Sequence, residues 1–358
     1  MYAYIVRRLL LMPLLLFGVT VLLFLMIGLL PADSRLALYI HSEIRSQAQA
    51  ETLIKRYDLD KPIYVQYINW LFGKEGEDSF TGKVSIHGGI LRGDLGWSKT
   101  GSDTIANIIS RRFPATVELA LWAIVPIIGI GVWMGVLAAV KHNKWQDQAL
   151  RVFAIVGWSF PSFVVGLLLL MFFYARLQWF PPGRLSDWAN IIVNSEVFVH
   201  YTNLNTIDAL LNGRLDIFFD ALRHLILPII TLAYIQWALL LKITRSSMLE
   251  SLRQDYINTA RAKGLSEKAV INRHARPNAL VPVVTVVGFS VVGLLNGVII
   301  TETIFNYPGI GSIAAQAAVQ LDVLTVLGLT LFTGLILLVG NLVVDVMYAI
   351  VDPRVRLS

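Results

Sequence analysis

Cysteine is absent from the 358 residues, which excludes disulfide frameworks and thiolate metal sites. Charge is scarce too: Asp, Glu, Lys and Arg make up 15% of the chain, where soluble domains carry about a quarter. No G-x-x-x-x-G-K-[ST] run occurs, so no loop here can cradle nucleotide phosphates with backbone N–H groups and a lysine. The six histidines (His41, His87, His142, His200, His224 and His274) are scattered, with no i, i+4 pair of the kind that ligates metal. No metal site is therefore expected. Internal repeats are missing as well, which weighs against an inverted-repeat carrier.

Apolar sequence is what the chain has in excess, at 56%. A membrane span needs roughly 20 mostly apolar residues to cross a hydrocarbon core of about 30 Å. Six segments qualify, at about 9–30, 115–140, 152–175, 225–241, 279–300 and 323–344. The fold class expected is thus an all-α membrane protein with six transmembrane helices in one transmembrane domain. Several spans contain proline (Pro13, Pro126, Pro161, Pro228, Pro282), which bundles tolerate when neighbours satisfy the freed backbone groups. Arg7 and Arg8 precede the first apolar run as in a secretory signal, but the run exceeds the roughly 7–15 residues of a signal core and "PADSR" is a poor cleavage site. It is read as a retained span.

Basic residues orient the spans. Lys141, Lys144 and Arg151 flank one turn, eight Lys or Arg crowd 242–276, and Arg354 and Arg356 sit in the tail. If the spans alternate, all lie on one side with Arg7 and Arg8, and the positive-inside rule makes that side the cytoplasm. Both termini are then cytoplasmic. The segments 31–114 and 176–224 become sizeable extracytoplasmic loops whose mixture of aromatics and charge predicts a small folded cap. "TETIFNYPGIGSIAAQAAVQLD" has neither Lys nor Arg and is expected to form a re-entrant turn before a short helix.

Residues 245–278 are the most unusual cytoplasmic segment. "QDYINTARAKG" carries helix formers and stops at Gly264, glycine being the usual left-handed terminator. Ser266 is placed to cap a second helix, with Glu267 in its first turn, and that second half, "EKAVINRHAR", is expected to end at Pro277. By charge alone, such a loop is an anchor to anionic lipid. The spacing says more. Asn258-Thr259-Ala260, Gly264, and His274-Ala275-Arg276-Pro277, with the proline thirteen positions past the glycine, resemble the "EAA" loop of ABC importer permeases. Asn-Thr-Ala replaces the usual Glu-Ala-Ala, and His-Ala-Arg-Pro the usual Ile-x-Leu-Pro. These departures suit the dipeptide/oligopeptide/nickel branch, which "DYINTARAKGL" closely resembles. "RRLLLMPLLLFGVTVLLFLMIGLLPAD", "LRGDLGWSKTGSDTIANIISRRFPATVELAL", "SFPSFVVGLLL", "ETIFNYPGIGSIAAQAAVQLD" and "DPRVRL" are similar to further stretches of that branch, in order. The match is poorest around 73–90 and 188–216.

The resemblance implies a non-catalytic permease subunit of the bacterial or archaeal inner membrane. It would form half of a pathway with a second, related permease subunit. An external binding protein would deliver substrate, and two ATPase subunits at the hairpin would bind ATP and Mg, leaving this chain without a cofactor. Thr259, Ala260, Arg261 and Gly264 are carried over as ATPase-coupling contacts. Ionisable or amide groups at membrane depth are costly and face the bundle interior or water, which makes Asn296 and Glu302 pathway candidates. Two other classes stay open on the residues alone. An ion-coupled secondary transporter requires carboxylates near the midplane, of which the spans have almost none. A membrane enzyme requires a clustered nucleophile and base.

Overall fold

The computed structural model describes residues 2–29, 47–56, 58–77, 84–295 and 298–351. The described chain is predominantly helical and divides into two compact units: one built chiefly from Pro114–Ser312 and the residues from Val339 onward, the other from Val6–Phe113 and Ile313–Leu338. Four helices are long and apolar enough to cross a membrane, and two sharply bent helix pairs pass the same test when each is counted as one span.

The second unit begins in helix α1 (Tyr2–Gly28), which continues past the apolar run expected at 9–30 in the N-terminal direction. Helices α2 (Gln47–Arg56) and α3 (Ile63–Phe72) follow. Phe24 packs edge-on against Tyr67 and tilted against Trp70, at 5.3 and 5.4 Å between ring centroids, and Thr20 shares a 2.8 Å hydrogen bond with the Tyr67 hydroxyl. The glycine-rich patch contains an antiparallel pair, β1 (Lys74–Glu77) with β2 (Val84–His87), Lys74 opposite His87. A second short pair joins β3 (Trp97–Ser98) to β4 (Asp103–Thr104). Asp322 fastens this pair to the chain's last long helix. Its carboxylate accepts from Ser98 Oγ at 3.1 Å, Thr100 N–H at 2.9 Å and Thr325 Oγ1 at 2.6 Å. Asp322 also stands where a helix N-cap belongs, because a short acceptor there satisfies a free N–H of the first turn.

The first unit is built on two long helices, α4 (Ile105–Val140) and α9 (Leu215–Leu252). They approach closely where α4 reads Gly131-Val-Trp-Met-Gly135. A Cβ on Gly131 would stand 2.9 Å from Leu240 Cβ, so the small-xxx-small spacing is what admits α9. Between them the chain forms α5 (Trp145–Ser159) and α6 (Ser162–Leu169), the latter running on in a π-helical turn, Leu170–Arg176. The third apolar segment is therefore no straight rod: α5 and the following helix meet at 102°. Pro161 is the cause, since it pushes Phe160 out of the helical region to φ −98°, ψ 128°. The Tyr234 hydroxyl donates to the freed Phe160 carbonyl at 2.5 Å.

Residues 176–224 contain helices α7 (Asp187–Val193) and α8 (Asn205–Leu211). Leu185, Ala189, Val193, Phe198, Ala209 and Ile217 form their buried core. Beyond α9 come α10 (Asp255–Ala262), α11 (Glu267–Ala279) and α12 (Val281–Leu295). The short α13 (Ile299–Ile304), α14 (Ile310–Val319) and the long α15 (Val323–Val351) complete the chain.

Candidate functional site: a seated hairpin and buried carboxylates

Helices α10 and α11 form a helical hairpin over residues 255–279. Gly264 adopts φ +74°. Its N–H reaches Arg261 O at 2.9 Å, and Leu265 N–H reaches Ala260 O at 3.4 Å. This is the two-bond Schellman termination that a left-handed glycine permits. Ser266 caps α11, its hydroxyl accepting from Ala269 N–H. The second helix departs from the sequence expectation: it runs through Pro277 to Ala279 and bends by 54° into α12. The reason is a π-helical turn over Val270–Ala275. Its longer hydrogen-bond spacing removes the demand for an N–H at the proline, which sits at the start of the following α-helical turn.

The hairpin has two unlike faces. Ile257, Ala260, Val270, Ala275 and Ala279 are buried together with Met248 of α9 and Ala139 of α4. Burying Ile257 and Val270 alone contributes about 3–6 kcal/mol. The Arg261–Glu267 ion pair, at 2.7 Å, is exposed, so solvent screens it and it contributes little. Packing, not charge, seats the hairpin on the ends of the two long helices. The other face is open: Thr259, Arg261, Lys263, Gly264 and Leu265 are exposed, and a Cβ added to Gly264 would meet nothing within 4 Å. Of the four residues singled out, Thr259, Arg261 and Gly264 lie on this open face. Ala260 is 5% exposed and its side chain faces inward, so its part is to hold the hairpin against α4 and α9.

A second anchor lies in the first turn of α5. Asp147 is fully buried and receives Arg245 of α9 through two bonds, Nε to Oδ1 at 2.6 Å and Nη2 to Oδ2 at 2.8 Å. Asn143 N–H adds a third at 3.0 Å. A bidentate guanidinium fixes orientation as well as distance.

Two further carboxylates sit at the opposite end of α4 and its neighbours. Glu118, 1% exposed, accepts from Thr206 N–H at 2.6 Å, Thr206 Oγ1 at 2.8 Å, Arg184 Nε at 2.8 Å and the Tyr307 hydroxyl at 3.2 Å. Arg184 also donates to Asn203 O at 2.7 Å. Burial opposes the Arg184 charge, but Glu118 outweighs it and raises the guanidinium's proton affinity. Burial, with the Glu118 charge, pushes the Tyr307 phenol well up. Glu302 accepts from Thr116 Oγ1 at 2.9 Å and from Ser312 N–H at 2.8 Å, and is fully buried. Burial raises its carboxyl above the ordinary value. Glu302 is thus a tie between the start of α4 and the "YPGIGS" segment, with its oxygens occupied by the protein's own donors. Asn296 lies outside the described residues. The sequence singles out Glu302 but not its partners, nor does it pair Glu118 with Arg184, Thr206 and Tyr307, which lie far off along the chain and carry no local signal.

The class these features define is a multi-pass helical membrane protein whose exposed hairpin is rigidly seated on its long helices. The family is fixed by comparison. The profile of the binding-protein-dependent transport system inner membrane component matches residues 131–357, and that of the N-terminal part of such membrane components matches residues 1–120. The chain belongs to this family. It is 39% identical over 357 residues to the di/tripeptide transport system permease protein DppB of Pseudomonas aeruginosa, covering 99% of each chain. It is 37% identical over 339 residues to the probable D,D-dipeptide transport system permease protein DdpB of Escherichia coli, covering 94% of this chain and 93% of that one. It is 34% identical to the oligopeptide transport system permease protein AppB of Bacillus subtilis, covering 99% and 100%. The chain is accordingly a permease subunit of an ABC importer and no enzyme itself; ATP hydrolysis belongs to partner subunits.

Proposed function

We infer that this permease subunit carries peptides or closely related solutes across a bacterial or archaeal inner membrane, crossing it six times with both termini and the α10–α11 hairpin in the cytoplasm. The peptide class is supported by relatives named for dipeptides, di/tripeptides and oligopeptides. A second, related permease subunit supplies the other half of the pathway. A receptor outside the membrane delivers substrate, and two ATPase subunits, holding ATP and Mg, engage the hairpin. The supporting observation is mechanical: one face of the hairpin is packed into α4 and α9 while Thr259, Arg261 and Gly264 are open to a partner. Packed elements move as bodies, so a push on the open face travels into both long helices.

The test is reconstitution of the complete transporter in liposomes, with uptake and ATP hydrolysis measured together. Gly264→Val forces a β-branched residue into a left-handed conformation, whereas Gly264→Asn places there a residue that tolerates it. The valine variant is expected to insert normally and lose at least tenfold in uptake per ATP, the asparagine variant to keep most of it. Full coupling in the valine variant would contradict the role assigned to the hairpin.

A further inference from the structure

Beside the hairpin's seat lies an apolar groove of about 340 Å³. One wall is the last two turns of α4, presenting Trp133, Val136, Leu137 and Val140; the other is α11, presenting Lys268, Ile271 and Asn272. The α4 residues follow the i, i+3, i+4, i+7 spacing of a single helix face and run about 10 Å along its axis. The floor is aliphatic, and the two polar groups stand at i and i+4 on α11. Both are exposed, and neither has an ion pair or side-chain hydrogen bond among the described residues. The nearest acid in sequence, Glu267, is engaged by Arg261. Trp133 is 61% exposed.

We propose that this groove binds one anionic phospholipid, its acyl chain lying along Trp133–Val140 and its phosphate held by the Lys268 ammonium and the Asn272 amide. An apolar slot opening from a membrane helix suits an acyl chain, and two free donors at its rim suit a phosphate. The unopposed positive charge of Lys268, with Lys141 immediately beyond the end of α4, selects an anionic headgroup over a zwitterionic one. The lipid would wedge between span and hairpin, so its presence would stiffen the joint through which motion passes. Assigning it to the cytoplasmic leaflet rests on the orientation proposed above; the groove itself does not.

The experiment uses the full chain in nanodiscs with a phosphatidylglycerol bearing a diazirine in its acyl chain, crosslinked sites being mapped by mass spectrometry. Crosslinks are expected within 133–140, displaced by excess phosphatidylglycerol but not by phosphatidylcholine or inorganic phosphate. Lys268→Glu should lower them at least fivefold and Lys268→Arg should retain them; the position is exposed, so folding is not at stake. Equal displacement by phosphatidylcholine, displacement by inorganic phosphate, or unchanged crosslinking in the glutamate variant would overturn the site. Labelling of a Leu265→Cys variant with an impermeant maleimide reports the leaflet separately: a wrong side with intact crosslinks would sink the orientation and leave the lipid site standing.

Discussion

Gly309 offers the sharpest test of the buried ties. A Cβ there would fall against the carboxylate of Glu302, inside the 3.0 Å that real Cβ contacts do not breach. Its φ is not left-handed, so space alone forbids a side chain. Gly309→Ala must therefore displace the carboxylate or the backbone. Overpacking of this kind costs about 1–3 kcal/mol. Moving the carboxylate also weakens the bonds from Thr116 and Ser312, and bonds to a charged group are worth about 1.5–3 kcal/mol each. With the equivalent of one such bond lost, the total is about 3–6 kcal/mol, at the top of what single substitutions do. Thermal unfolding of the detergent-solubilised chain, followed by tryptophan fluorescence, measures it. Glu302→Ala removes the obstacle, so Gly309→Ala should cost about 1–3 kcal/mol less in that background. Strictly additive effects, or a harmless Gly309→Ala, would refute the reasoning.

Three other outcomes rest on the same contacts. Burial pushes the Asp322 carboxyl up, but hydrogen bonds from Thr100 and Thr325 outweigh it and hold it below the ordinary value of 3.8. Its contribution is thus present above that value and lost as pH falls through the lower folded one, and Asp322→Asn should flatten the acid side of a stability–pH profile. Glu302 carries the opposite sign: burial raises it above its ordinary 4.5. Its contribution is complete below that value and fades as pH rises through the folded one, so Glu302→Gln should remove a loss of stability on that side. Arg184→Met should destabilise by about 3–5 kcal/mol because it strands the Glu118 charge, while the double replacement with Glu118→Met should cost less than either alone, as read by unfolding temperature.

Much of the architecture is legible in the residues. Uncharged apolar runs mark the long helices, since nothing else tolerates so many apolar side chains in succession. Gly264 and Ser266 announce their turn, because helix termination and capping are local chemistry. Pro161 announces a break but not its 102° angle, which depends on what α6 packs against. The π turn at Val270–Ala275 has no signature in composition, and it is what carries the helix past Pro277. The carboxylate ties are the least legible. Glu302 lies 186 positions from Thr116 and Glu118 lies 66 from Arg184, so only the folded chain brings donor to acceptor. Ala260 shows the same limit: its place in the motif is local, but the side it faces is decided by Met248 and Ala139.

The central claim is that the hairpin's open face meets an ATPase. Because the chain has no cysteine, Leu265→Cys, at a position 41% exposed, gives a single reporter without background. Impermeant maleimide applied to inside-out vesicles holding the permease alone should label it readily. Adding the ATPase subunits should protect it, and the same reagent outside intact cells should not reach it. Labelling from outside, or labelling indifferent to the ATPase, would contradict the account.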